Sequence, residues 1–210
     1  MNFEPLLAVS VHPVIAETAR YFQTLAPGDT LPKRHAFRPN RVRHALGYIF
    51  LVDVLPGDYR WELVGEKVGI LFGTNRQGSL LSTIEPIELR HLLKPMYDGI
   101  VGSHAFHYCR GRYTWPDRSV AIERLLVPMS DDQGRLTSIF GVTMPVEQLD
   151  DFVIVFTGMG AAGFEVDEIV TGGAVACEPA SRSGQAVEMY DCLALNPLEV
   201  APIARRWSIF

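Results

Sequence analysis

The sequence predicts an α+β fold: a five-stranded antiparallel sheet with short helices on one face, an N-terminal amphipathic helix and a C-terminal extension. Three observations lead there. Two strand-like runs meet across a Pro-Gly-Asp turn. Three further runs are joined by connections too short for a crossover. Between the two groups the apolar period becomes helical.

In chain order, Val14, Ile15, Thr18, Ala19, Phe22 and Leu25 recur at helical spacing, and Pro13 suits a first helical turn, so residues 11 to 25 read as an amphipathic helix. Its stripe of Ile15, Ala19 and Phe22 is the expected dimer or partner surface. "YIFLVDV" (Tyr48 to Val54) and "YRWELVG" (Tyr59 to Gly65) form a hairpin across "LPGD". On the second run Tyr59, Trp61 and Leu63 share one face, while Arg60 and Glu62 share a face expected to meet water. Short helical pieces follow from Glu66 to Gly102, punctuated by Gly73, Gly78 and Pro86. His104 to Trp115, Ser119 to Ser130 and Arg135 to Pro145 are the last three strands, paired as neighbours.

The tail holds "DFVIVFTGMGAAGFE", whose Gly158, Gly160 and Gly163 match a dinucleotide fingerprint. That chemistry needs a helix after the glycines, with its first amides facing a pyrophosphate. "FEVDEIVTGGAV" follows instead; it is soon broken by Gly172 and Gly173 and fits strand as well as helix. Residues 152 to 157 therefore read as an added strand or docking segment, and the glycines as a bend. Residues 171 to 186 read as a linker or mobile loop, and the last segment carries enough apolar residues to dock.

Composition narrows the function. The chain has 210 residues, 48% hydrophobic and 20% charged, which suits a folded domain. A formal charge of −5 argues against non-specific attachment to nucleic acid. Cys109, Cys177 and Cys192 show neither a disulfide framework nor metal spacing, so a reducing cytoplasm is expected. Neither a signal peptide nor a membrane span is expected.

The order of strands and helices resembles the PAS domain, a small sensory and interaction module. "LPKRHAFRP", then "YIFLVDVLPGDYRWELVGEKVGILFGTNRQGSLL" and "RLLVPMSDDQGRLTSIFGV", look like short bacterial PAS-like proteins with an L-P-x-R-x-x-F-x-P lead-in and a strand closing in Val-Gly. The resemblance covers about residues 28 to 146. It implies a PAS-like domain at 28–147, flanked by the helix of 1–27 and an extension of open role at 148–210. It also implies a sensory or protein-interaction role through association, as a homodimer or with a signalling partner, and no enzyme activity. It transfers no site residues, and the cofactor is unknown.

Candidate residues come from the chain itself. Phe106, Tyr108, Ile122, Leu126, Phe140 and Val142 are expected to line one apolar face under the helices, as a ligand pocket or filled core. Arg34 and Arg38 are the candidate anion contacts in the basic stretch Leu31 to His44. His91, on the helical crossover, is the candidate haem ligand, the alternative function being a haem- or metabolite-binding regulator. The Asn-Cys-Arg-Phe helix motif of flavin photosensors is missing. His104 and His107 point to opposite strand faces and cannot share a metal, so no metal is expected. Glu62 and Glu123 are expected to be solvated or paired with Arg60 and Arg124. A nucleotide-dependent enzyme using the glycine turn is the remaining alternative.

Overall fold

The computed structural model describes residues 1–28, 30–71, 76–85, 87–115, 118–146, 163–173 and 202–205, the last two segments by their backbone path. Two helices open the chain, α1 (Glu4–Val9) and α2 (Pro13–Leu25). The basic stretch folds into 3₁₀ turns at Arg34–Ala36 and Pro39–Tyr48. Strands β1 (Ile49–Leu55) and β2 (Asp58–Val64) form the expected hairpin, with Gly57 at a positive φ of 78° in its turn. The crossover comprises α3 (Glu66–Leu71), a 3₁₀ turn at Leu81–Thr83 and α4 (Ile87–Ser103). Strands β3 (Ala105–Trp115), β4 (Arg118–Ser130) and β5 (Leu136–Pro145) follow.

β5 returns beside β1, so the expected strands form the antiparallel order β2-β1-β5-β4-β3. Two tail strands extend it: β6 (Gly163–Gly173) pairs with β3, and β7 (Pro202–Arg205) with β6. The run after Gly163 is thus a strand rather than the helix a dinucleotide site requires. Thr171 to Gly173, expected to begin the linker, instead end β6 against β3; Gly158 and Gly160, the run 152–157 and the rest of the linker, 174–186, lie outside the described residues.

Helices cover both faces of the sheet, because side chains alternate along the central strands and apolar residues fall in both sets. On one face Ile49, Leu51, Phe106, Tyr108, Leu125, Val127, Phe140 and Val142 meet α1 and α2. On the other, Phe50, Val52, Trp61, Leu126 and Ile139 meet the crossover through Val68, Leu81, Leu93, Tyr97 and Ile100. A 13-residue helix is marginal alone, so packing holds α2: Ile15, Ala19 and Phe22 are fully buried. The stripe expected to bind a partner is consumed inside the chain. Phe22 stacks on Phe37 at 5.8 Å, and both rings lean on Phe140; each large side chain buried in this way contributes about 1.5–3 kcal/mol.

The packing gives the lead-in motif a structural account. Pro32 O accepts from Ser130 N at the end of β4, Phe37 enters the core, and Pro39 starts a 3₁₀ turn. Arg34 binds Asp53 of β1 at 2.9 Å and Glu62 of β2, while Arg60 binds Asp53 at 2.7 Å. Burial raises the Asp53 carboxyl, but hydrogen bonds from Arg60 and Arg34 outweigh it, and the net shift is downward.

The Val-Gly close of β2 has a steric reason. A Cβ on Gly65 would lie 2.5 Å from Gly47 O and 2.7 Å from Leu46 O, both main-chain atoms. Gly65→Ala is therefore expected to cost about 2 kcal/mol, read as a lower urea midpoint with unchanged slope. Gly141 plays the same part on β5, where the Phe50 ring lies across it and would come within 2.1 Å of an added Cβ.

Candidate functional site

The middle of β4 carries two adjacent charges in an otherwise apolar run, Glu123 and Arg124, and both side chains are buried. Successive strand residues face opposite ways, so one serves each layer of the domain. Glu123 reaches the N-terminal helices: its carboxylate accepts from Ser10 Oγ at 2.7 Å, Val11 N at 2.9 Å and His12 N at 3.2 Å. These donors sit at the start of α2, where backbone amides lack helical partners and the helix dipole favours an anion. His12 caps the same helix, Nδ1 accepting from Val14 N at 3.2 Å. Burial lowers the His12 imidazole, against the opposing pull of Glu123.

Arg124 faces the crossover. Its Nε donates to Thr143 Oγ1 on β5 at 3.2 Å, and one terminal nitrogen approaches Met96 Sδ of α4 at 4.0 Å. Cys109 is its register partner on β3, and His107, two residues earlier, shares that face beside Leu126. His107 is nearly fully buried, and its Nδ1 has no hydrogen-bond partner among the described residues. Burial first and the neighbouring Arg124 charge second lower the His107 imidazole to about 4, so it is neutral at pH 7. Burial raises the Cys109 thiol, leaving it un-ionised. A guanidinium, a neutral imidazole, a thiol and a hydroxyl thus share the interior under α4, suited to hydrogen-bonding a small polar molecule.

The residues expected to line one pocket divide between the two faces. Phe106, Tyr108, Phe140 and Val142 pack under α1 and α2, whereas Leu126 lies under the crossover. Ile122, two and four residues before Arg124 and Leu126, is buried and shares their face by alternation. Apolar residues fall on both faces of these strands, so hydrophobicity alone does not assign the faces.

The other candidates also move. His91 is exposed on α4 and does not reach the interior; His107 is the imidazole that does. His104 is exposed after α4 at a positive φ of 54°, apart from buried His107. Arg34 is bound to Asp53 and Glu62, while exposed Arg38 donates to the carbonyls of His35 and Phe37. Glu62 is exposed as expected; Glu123 is not, and it points to the face opposite Arg124. The sequence signal for the β4 pair was present: two charges in mid-strand of "SVAIERLLVPMS", with apolar residues on both sides.

Among the described residues no helix is long and apolar enough to cross a membrane. No curated protein matches the chain. Several solved structures are similar. The PAS domain of Bordetella pertussis BvgS shares 16% identity over 48% of this chain and 76% of its own, with a TM-score of 0.36. A light-oxygen-voltage domain studied with a flavin analogue shares 13% identity over 56% of this chain and 88% of its own, with a TM-score of 0.39. Vibrio cholerae VqmA shares 17% identity over 52% of this chain and 50% of its own, with a TM-score of 0.35. The family itself is set by sequence: a PAS domain family model matches residues 10–144, from just before α2 to the end of β5, and the chain belongs to the PAS domain family.

Proposed function

We propose that the chain is a sensory PAS module that takes a small acceptor-bearing molecule, such as a carboxylate or phosphate ester, at the crossover face around Arg124, His107 and Cys109. PAS domains are in general sensory or interaction modules, so the proposal specifies where the signal enters. The observation that supports it is the back-to-back pair on β4. Arg124 places a guanidinium on the crossover side, and its chain neighbour Glu123 holds the α1–α2 junction on the far side. A displacement of β4 at Arg124 is then felt at the N-terminal helices, and the module passes the signal on by association. The lead-in motif and the Val-Gly strand end support placing it among the short bacterial PAS-like proteins, with residues 28–147 as the sensory unit, 148–210 as its extension, and a cytoplasmic setting.

Native mass spectrometry of the full chain, purified without refolding, tests the ligand. We expect an adduct that Arg124→Met reduces, together with a rise in melting temperature on adding members of a carboxylate and phosphate-ester panel. A bare chain mass and no thermal shift across that panel would remove the small-molecule reading and leave association as the input. An absorption band near the haem Soret region would redirect the assignment to haem, with His107 rather than His91 as its ligand.

A further inference from the structure

Several cations of this domain are paired. Lys33, Arg34, Arg60, Arg90, Lys94 and Arg135 each face a carboxylate within 4.0 Å. The 3₁₀ segment Pro39–Tyr48 and the residue before it behave differently. Arg38, Arg41, Arg43 and His44 are exposed, and none meets a carboxylate among the described residues. Arg38 donates to main-chain carbonyls, and Arg43 Nε lies 3.3 Å from His44 Nε2. Lys67 of α3, whose stem lies against Gly47 of the same segment, likewise has no acidic partner among the described residues. Arg38, Arg41, Arg43 and Lys67 thus form a local group of cations with no carboxylate partner among the described residues, in a chain of net charge −5.

Geometry gathers these groups into a ridge. Arg41 N donates to Arg38 O at 2.9 Å, closing a three-residue turn. Residues three apart superpose on a 3₁₀ helix at about 6 Å per step, which brings Arg38 and Arg41 to one edge; beyond the kink at Val42 a second short turn carries Arg43 and His44. Val42 and Ala45 are buried beneath, which turns the basic residues outward. The mount is firm: Tyr21 Oη accepts from Arg38 N at 2.7 Å, and the main chain at Leu46 and Gly47 abuts Gly65. Leu46 adds an apolar contact, 44% exposed.

We propose that this ridge is a docking surface for an acidic, leucine-bearing segment of a partner protein. Arginine is enriched at protein interfaces and among the residues that carry their binding energy, and a rigid mount reduces the entropy lost on docking. A nucleic acid fits less well: its binders neutralise roughly 6–10 phosphates, more than this ridge offers, and the net negative charge of the chain opposes a long polyanion. The proposal is independent of whether the interior holds a ligand.

Fluorescence anisotropy with the full chain and a labelled peptide of alternating Glu and Leu tests it, with a thymidine oligonucleotide as the competing probe. Binding of the peptide at low salt, weakened about tenfold by the double variant Arg41→Glu, Arg43→Glu and left intact by Lys94→Glu, is expected. Both positions are exposed, so an unchanged melting temperature shows the variant folded. No peptide binding, equal binding by variant and parent, or oligonucleotide binding as tight as peptide binding would each overturn the assignment.

Discussion

Glu123→Ala is expected to destabilise the domain by about 3 kcal/mol and to loosen its N-terminal helices first. The carboxylate is fully buried and is the acceptor for two backbone amides and the Ser10 hydroxyl. Truncation removes the acceptor of the part-buried Val11 N and His12 N at the start of α2 and leaves a cavity where the buried carboxylate stood, with about 1–3 kcal/mol lost for each donor that water does not reach. Glu123→Gln keeps an acceptor oxygen but loses the charge that the start of α2 favours, so a smaller loss of about 1–2 kcal/mol is expected. Urea denaturation gives the totals, and hydrogen exchange gives the location. Faster exchange between Leu6 and Ile15, with the sheet still protected, is the result expected of a clasp between β4 and the α1–α2 junction. Uniform loss of protection across β1 to β5 would instead make Glu123 a core residue like any other.

Lowering the pH from 7 toward 4 is expected to destabilise the domain by about 3 kcal/mol through His107 alone. The imidazole is lowered from its ordinary value of 6.5 to about 4 by burial and by the Arg124 charge. In that window the unfolded chain takes up a proton that the folded chain refuses, so acid favours unfolding. The stability is fully present above about 6.5 and is lost as the pH falls toward 4. Carboxylates such as Asp53, held low by Arg60 and Arg34, titrate at still lower pH, and His12 also titrates in acid. The measurement is therefore a difference: urea stability of the parent and of His107→Phe at pH 7 and pH 4.5, with the variant losing less on acidification. Identical losses in the two proteins would mean that His107 is hydrated and titrates normally.

The two predictions meet on β4. Burial and, after it, the Arg124 charge depress His107 on the crossover side, and Glu123 secures α2 on the other. Loss of either partner is thus expected at the layer it serves, and α2 unfastens without the interior being emptied.

The sequence by itself determined the five central strands and the pairing of those adjacent in the chain; the contact of β5 with β1 and the tail strand beside β3 came from the tertiary structure. "LPGD", "PDR" and "SDDQG" are short and polar, so antiparallel neighbours were the only economical connection. The five strands fall within a residue or so of where the apolar runs place them, from Ile49–Leu55 to Leu136–Pro145. The motif residues were legible too, and the packing supplies their reasons: Phe37 enters the core, Arg34 ties the hairpin to the lead-in, and Gly65 admits a passing main chain.

Only the tertiary structure decided which face each strand residue serves. Leu125 and Leu126 are equally apolar, yet one lies under α2 and the other under the crossover. A two-sided core removes the alternation that reveals a face in a half-exposed strand. The same ambiguity merged six residues into one pocket when they line two layers. It also hid the β4 pair, because mid-strand charges read as solvated until the layers on both sides are known to exclude water. The amphipathic stripe of α2 was visible in the sequence, but what it covers was not. Periodicity specifies that an apolar face must be buried; the long-range contact with Phe140 and its neighbours specifies that this chain buries it against itself.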